Sequence, residues 1–274
     1  MIGLAGNNYI HACKICYFKI VTIIFAVKTI ITLMTPHIIK PNINTTRVDI
    51  SKFFGFAVSV DCVIFGFDEN VLKVLLIKSD LEEFLGKWSL LGDLVQLDED
   101  LESASYRVLK ERTGLDNVYL EQVYTFSSVD RHPAGRVVST AYFSLVNVKH
   151  TQLQQMNNEL HWHKVDELKT LAFDHKVILD TCLKQLQKKV QEEPIIFNLL
   201  ENKFSLRDLQ SLYEAILGVK LDRRNFRKKL FTTGLLVDIN EMENNVPHRP
   251  GKLYTFNETR YSKMKRKTFV GIDF

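Results

Sequence analysis

The stretch WSLLGDLVQLDEDLESASYRVLKERTGL, from Trp88 to Leu115, constrains the fold more than any other part of the chain. It reads as strand, tight loop, helix and turn. Leu90, Leu91 and Gly92 close an apolar run, Asp98 to Asp100 form an acidic loop, and Leu101 to Arg112 can be helical. Gly114, after Thr113, supplies a helix C-terminal stop. Leu101, Ala104 and Val108 share one apolar helical face, while Arg107 and Glu111 sit four apart on another.

At 274 residues the chain has room for two domains of ordinary size. With 46% apolar and 25% charged residues and no repeats, its composition is that of a globular protein rather than a fibrous or disordered one. The net charge of +4 conceals a division. Residues 194–274 hold 15 Lys or Arg against 9 Asp or Glu, whereas residues 1–193 hold 21 against 23. The basic end is where an acidic partner is to be sought. The four cysteines, Cys13, Cys16, Cys62 and Cys182, are too scattered for a disulfide framework. Cys13-x-x-Cys16 lacks the second ligand pair of a zinc site, so no metal is expected there.

Tyr17 to Leu33 is apolar and near the lower length limit of a membrane span, with Lys19 and Lys28 interrupting it. It reads as a signal peptide, a membrane anchor, or translated sequence upstream of a true start at Met34. The third reading is adopted, and with it a cytoplasmic protein without a membrane partner. Residues 35–50, with Pro36 and Pro41, form a polar lead-in.

From Phe56 to Phe67 the residues are β-branched and aromatic; Asp68-Glu69-Asn70 makes a turn, and Val71 to Lys78 is a second strand. After the Trp88–Leu115 stretch come strands over Tyr119–Ser127 and Arg136–Val146, joined by a polar turn from Asp130 to Gly135. Trp162–Lys164 is a short strand, and Val165 to Leu168 a turn. Phe173 to Gln191 forms a second amphipathic helix, with Val177, Ile178, Leu179, Leu183, Leu186 and Val190 as its stripe. Several strands between two helices predict an α/β/α sandwich with a mixed sheet, within an α+β chain.

Pro194 ends that helix and opens a second domain. Ser205 can cap a helix over Leu206–Leu217 that closes at Gly218, and Asp222 one over Arg223–Thr233 that closes at Gly234. Leu235–Ile239 and Lys252–Phe256 then frame a polar tip. Helix, short turn, basic helix and hairpin is the order of a winged helix-turn-helix. With Phe226 and Leu230 turned inward, Arg223, Arg224, Asn225, Arg227 and Lys228 face outward, toward the guanines and phosphates of double-stranded DNA. Arg249 and Lys252 flank the hairpin tip, where a wing meets the DNA backbone. The alternative is a solvated basic helix; the combined order of elements favours DNA binding.

The Trp88–Leu115 stretch resembles the Nudix box, G-x5-E-x7-R-E-U-x-E-E-x-G-U with U aliphatic. Registered on Gly114 and Leu115, it puts Glu99, Arg107, Leu109 and Glu111 at family positions. Asp93 replaces the leading glycine, Val108 the glutamate after the arginine, and Arg112 the last glutamate. A Nudix hydrolase holds Mg²⁺ on those helix glutamates, and a hard cation of this kind needs several oxygen ligands. The resemblance with these departures implies a protein that is not an enzyme, with no catalytic residues, no metal and no cofactor. The surviving Arg107–Glu111 pair reads as a helix ion pair.

A Nudix-like domain followed by a winged helix resembles the Nudix-related transcriptional regulators, and within them the branch responding to arabinose or related sugars. The resemblance is carried by VDCVIFGF (Val60–Phe67), RVLKERTGL (Arg107–Leu115), YLEQ (Tyr119–Gln122), DRHPAGRVVS (Asp130–Ser139), AFDH (Ala172–His175) and LDRRNFR (Leu221–Arg227). It implies domains over 51–193 (Nudix-like, effector-binding, dimerising) and 194–262 (winged helix), after an extension at 1–50 and before a basic tail at 263–274. It also implies a homodimer on a palindromic operator, released by a small effector, a pentose such as L-arabinose or an ADP-ribose-like molecule. For that effector the polar groups would be Glu99, Arg107, Glu111, Asp130, Arg131 and Arg136, and the rings Trp88, Phe126 and Tyr142. Core packing is the alternative for Phe126 and Tyr142, and a turn-holding role the alternative for Asp130 and Arg131. The competing function is a Mg²⁺-dependent Nudix hydrolase acting on ADP-ribose or a related nucleoside diphosphate.

Overall fold

The structure is a computed structural model that describes residues 55–265, apart from 117, 150–152, 154–159, 245 and 248. The expectations for the apolar Tyr17–Leu33 stretch, for Cys13 and Cys16, for the Met34 start and for the tail beyond 265 lie outside the described residues.

Strand β1 (Ala57–Asp68) and strand β2 (Val71–Lys78) form a hairpin whose turn residues, Glu69 and Asn70, both have positive φ, 51° and 61°. That backbone matches the twist of the flanking strands, and asparagine tolerates it better than most residues. The apolar run expected as one strand at Trp88 is divided. Trp88–Ser89 (β3) pairs with β2 and Leu91–Leu94 (β4) pairs with β1, so Leu90 is the point where the chain changes partner.

The first helix, α1 (Leu101–Thr113), forms where its sequence requires. Asp100 accepts a hydrogen bond from the Ser103 N–H, and Gly114 closes the helix at φ 74°. Strands β5 (Leu120–Phe126), β6 (Val137–Asn147) and β7 (Leu160–Lys164) complete a seven-stranded sheet of order β3-β2-β1-β6-β5, with β4 on β1 and β7 on β2. The β1–β6 pair is parallel and the others are antiparallel, so the sheet is mixed.

Residues along β1 alternate between two cores. Val63 and Phe65 join the core that includes Ile178, Leu179 and Leu186 of helix α2 (His175–Glu192). Cys62 and Ile64 join the one that includes Leu109 of α1. The sheet lies between the two helices, as expected. Helix α2 starts two residues later than its periodicity suggests because Phe173 has φ 51°, which a helix cannot use.

Beyond Pro194 a short 3-10 turn (Ile195–Leu199) leads to strand β8 (Phe204–Ser205), helix α3 (Leu206–Leu217), helix α4 (Arg223–Thr233), strands β9 (Leu236–Met242) and β10 (Lys252–Phe256), and helix α5 (Glu258–Lys265). The three short strands make a sheet of order β8-β10-β9. Ser205 and Asp208 form a reciprocal capping box at α3. The hydrophobic core is continuous across residue 193: Ile196, Leu199, Leu209, Tyr213 and Phe226 belong to the same cluster as Phe143 and Leu186.

Candidate functional site

Asp61 sits on the same face of β1 as Val63 and Phe65, which places a carboxylate only 5% exposed under α2. A buried charge of this kind needs partners, and three elements provide them. Ser139 of β6 donates its hydroxyl to Asp61. Arg131 of the β5–β6 turn brings Nη2 to 3.7 Å, and His175 of α2 brings Nε2 to 3.4 Å. Arg131 is held in turn by Asp174, the residue before α2, in a two-pronged pair of 2.9 and 2.8 Å.

The His175 ring is fixed from its other side. The Leu90 N–H donates to Nδ1 at 3.0 Å, and Ser89 Oγ lies 3.0 Å from the same nitrogen. A nitrogen that accepts a backbone N–H carries no proton, so the neutral ring keeps its hydrogen on Nε2, facing Asp61. Burial agrees, holding the His175 pKa below its ordinary value despite the nearby carboxylates.

This network forms one wall of a cavity of about 280 Å³, whose charged lining includes Lys78, Asp93, Arg112 and Arg131. Gly92 also lines it: a Cβ there would stand 2.8 Å from the Val60 carbonyl oxygen, so β4 can approach β1 this closely only with glycine.

The Nudix-like residues assemble beside the cavity. Arg107 of α1 donates from Nε to both oxygens of Glu99, and from Nη2 to Glu99 Oε1 at 2.6 Å and to the Leu94 carbonyl at 2.9 Å. Its Nη1 reaches Glu111 at 3.2 Å. The Arg107 hydrogen bonds hold the Glu99 carboxyl below its usual pKa range, and Glu99 also raises that of Arg107. The cluster ties the acidic loop onto the helix. The residues present do not fit a divalent cation: Val108 is buried in the core, Arg112 is itself cationic, and Glu111 faces Arg107. Among the described residues no three His, Cys, Asp or Glu are grouped as a metal site.

In the C-terminal part Phe226 and Leu230 of α4 are buried, each 1% exposed, and fix the rotation of the helix. Arg223, Arg224, Asn225, Arg227 and Lys228 are all exposed. The side chains of Arg223, Arg224, Arg227 and Lys228 make no ion pair among the described residues, so a face of unpaired cations results. At the hairpin Arg249 is exposed, and Lys252 is held by Asp238 at 2.6 Å.

Residues 55–182 match the NUDIX domain family and residues 196–256 the NrtR DNA-binding winged helix domain. The chain is 34% identical over 203 residues to the ADPR responsive transcriptional repressor NtrR of Acinetobacter baylyi, covering 72% of this chain and 81% of that protein. The chain belongs to the NrtR family. The Shewanella oneidensis NrtR structure complexed with a 27mer DNA shares 28% identity at a TM-score of 0.66, over 75% of this chain and 95% of that one. An ADP-ribose pyrophosphatase of Methanocaldococcus jannaschii is 34% identical over 123 residues, 45% of this chain and 70% of that enzyme. These matches do not support the arabinose-responsive branch expected from the sequence: the winged helix is of the NrtR type.

The structure places the expected effector residues in different surroundings. Of them, Arg131 lines the cavity. Glu99, Arg107 and Glu111 are engaged with one another. Trp88 packs on His161 and His163 and carries the Lys78 ammonium 3.7 Å above its ring. Phe126 packs at the edge of the core against Tyr124, Tyr142 is buried, and Asp130 is exposed in its turn. Arg136 donates to the Ser127 carbonyl at 2.7 Å, which closes the β5–β6 turn. Of the buried network, Asp61, Asp174 and His175 were not singled out in the sequence as site residues. Their signals were a lone charge within an apolar strand, and an Asp-His pair immediately ahead of an amphipathic helix.

Proposed function

We propose that this protein is a DNA-binding transcriptional repressor in which ADP-ribose, taken up by the Nudix domain, releases the winged helix from a palindromic operator. The observation that carries the proposal is the NrtR-type winged helix, with its unpaired basic α4 face, joined to a Nudix domain whose box has Val108 and Arg112 in place of two of its three helix carboxylates. The name of the Acinetobacter baylyi relative supports ADP-ribose as effector over a pentose. The cavity adds to this: its about 280 Å³ is at the lower end of ligand pockets, so it houses part of an ADP-ribose, and its lining has both donors and acceptors.

Helix α2 provides the connection between effector and DNA. Its N-terminus carries His175 into the cavity wall. Twelve residues on, about 18 Å along the axis, Gln187 Nε2 donates to the Ile216 carbonyl of α3 at 2.9 Å. A shift of the cavity wall thus acts on the helix pair that presents the α4 face. Binding by a homodimer follows from a two-fold operator, since one winged helix covers one half-site.

The similarity to an ADP-ribose pyrophosphatase favours a second reading, a Mg²⁺-dependent hydrolase; Val108 and Arg112 weigh against it. The two separate in one assay: ADP-ribose incubated with the protein and Mg²⁺ is recovered intact by a repressor, and yields AMP and ribose 5-phosphate with a hydrolase.

A further inference from the structure

Asp93 and Arg112 are two of the three places where the chain departs from the Nudix box, and they lie 19 positions apart in sequence. In the structure they meet. Arg112 Nη2 donates to Asp93 Oδ2 at 3.3 Å, and both residues line the cavity. Asp93 is itself fixed, since its Oδ1 accepts the Leu94 N–H at 2.7 Å. The Arg112 side chain is 43% exposed and makes no other hydrogen bond among the described residues, which leaves most of its five guanidinium donors available.

The other cations of the cavity are committed. Arg131 is locked onto Asp174, and its side chain is 4% exposed. Lys78 donates to the Gly86 carbonyl at 2.7 Å and lies over the Trp88 ring. Arg131 is shared between Asp61 and Asp174, so it has no charge to spare for an anion. The position that in a metal-dependent box carries a carboxylate for the cation here carries a cation with free donors.

We propose that Arg112, steadied by Asp93, stands in for the metal ion and binds the phosphates of a nucleoside diphosphate directly. This rests on the reading of the cavity as an ADP-ribose site. A planar guanidinium pairs with two phosphate oxygens at once, and neutralises charge without the activated water that a bound metal would supply. Such a site retains a diphosphate without cleaving it.

The test is calorimetric titration of the full chain with ADP-ribose, ADP and inorganic pyrophosphate, in EDTA and in Mg²⁺. The wild type is expected to bind ADP-ribose equally well in both. Arg112→Gln is expected to weaken ADP-ribose and ADP by about tenfold or more, as the loss of a charged hydrogen-bond donor does, with partial recovery in Arg112→Lys. Wild-type binding that EDTA abolishes and Mg²⁺ restores overturns the inference while leaving the ADP-ribose reading intact, and needs no variant to fold. Unchanged affinity in Arg112→Gln overturns it as well. Arg112-dependent binding of ADP or pyrophosphate without binding of ADP-ribose keeps the inference and removes the effector. Binding of none of the three removes both.

Discussion

A carboxylate set among Val60, Cys62 and Val63 is almost wholly withdrawn from solvent, and Asp61 is tolerated because Arg131, His175 and Ser139 converge on it. Arg131 also answers Asp174, so Arg131→Met would leave two carboxylates without their cation. We expect a loss of about 3–5 kcal/mol of stability, the cost of breaking a buried ion pair from one side, read as a lower urea midpoint. His175 carries a pH dependence whose sign follows from its burial. The folded protein resists a proton that the unfolded chain accepts near the ordinary value of 6.5, so stability is full above that pH and falls as pH drops below it. Melting temperature followed from pH 8 to pH 5 should decline for the wild type and less steeply for His175→Gln; parallel curves would show that His175 is not the group responsible. Little of this network was legible in the sequence. Arg131 was singled out, but with Asp130 and Arg136, which the fold leaves outside the cavity, because sequence distance does not reveal that β1, the β5–β6 turn and α2 converge.

At the scale of elements the sequence was far more informative, for physical reasons that are local. Caps and stops act within a few residues: Asp100 and Gly114 at α1, Ser205 and Gly218 at α3, Asp222 and Gly234 at α4 all stand where the chain places them. What escaped was decided by distant partners. Trp88 to Leu94 splits because two different strands pair with it, and β8 exists only because Phe204 and Ser205 meet β10. For α4 the burial of Phe226 and Leu230 leaves the arginines exposed whether or not DNA is present. Replacing both Arg224 and Arg227 with Ala should therefore leave the fold unchanged and weaken operator binding by about 1–3 kcal/mol for each lost base contact. Operator affinity that stays at the wild-type level in this double variant would remove α4 as the recognition helix.

For the whole molecule the feature that matters is the continuous core from the sheet into the winged helix, with α2 reaching from the cavity to α3. Gln187→Ala removes the hydrogen bond to Ile216 without touching either ligand. We expect it to reduce the effect of ADP-ribose on DNA affinity by about 0.5–2 kcal/mol, with ADP-ribose binding in the absence of DNA unaltered; a full wild-type response would show that the signal takes another route. The central claim is that one small molecule controls one DNA-binding face. Its most direct test is the anisotropy of a labelled DNA fragment from upstream of the gene or its neighbouring operons, titrated with the protein in EDTA at fixed modest salt, alone and with ADP-ribose or L-arabinose. The account predicts specific binding that ADP-ribose reverses and L-arabinose leaves untouched. Specific binding indifferent to ADP-ribose, or reversed by L-arabinose instead, would contradict it.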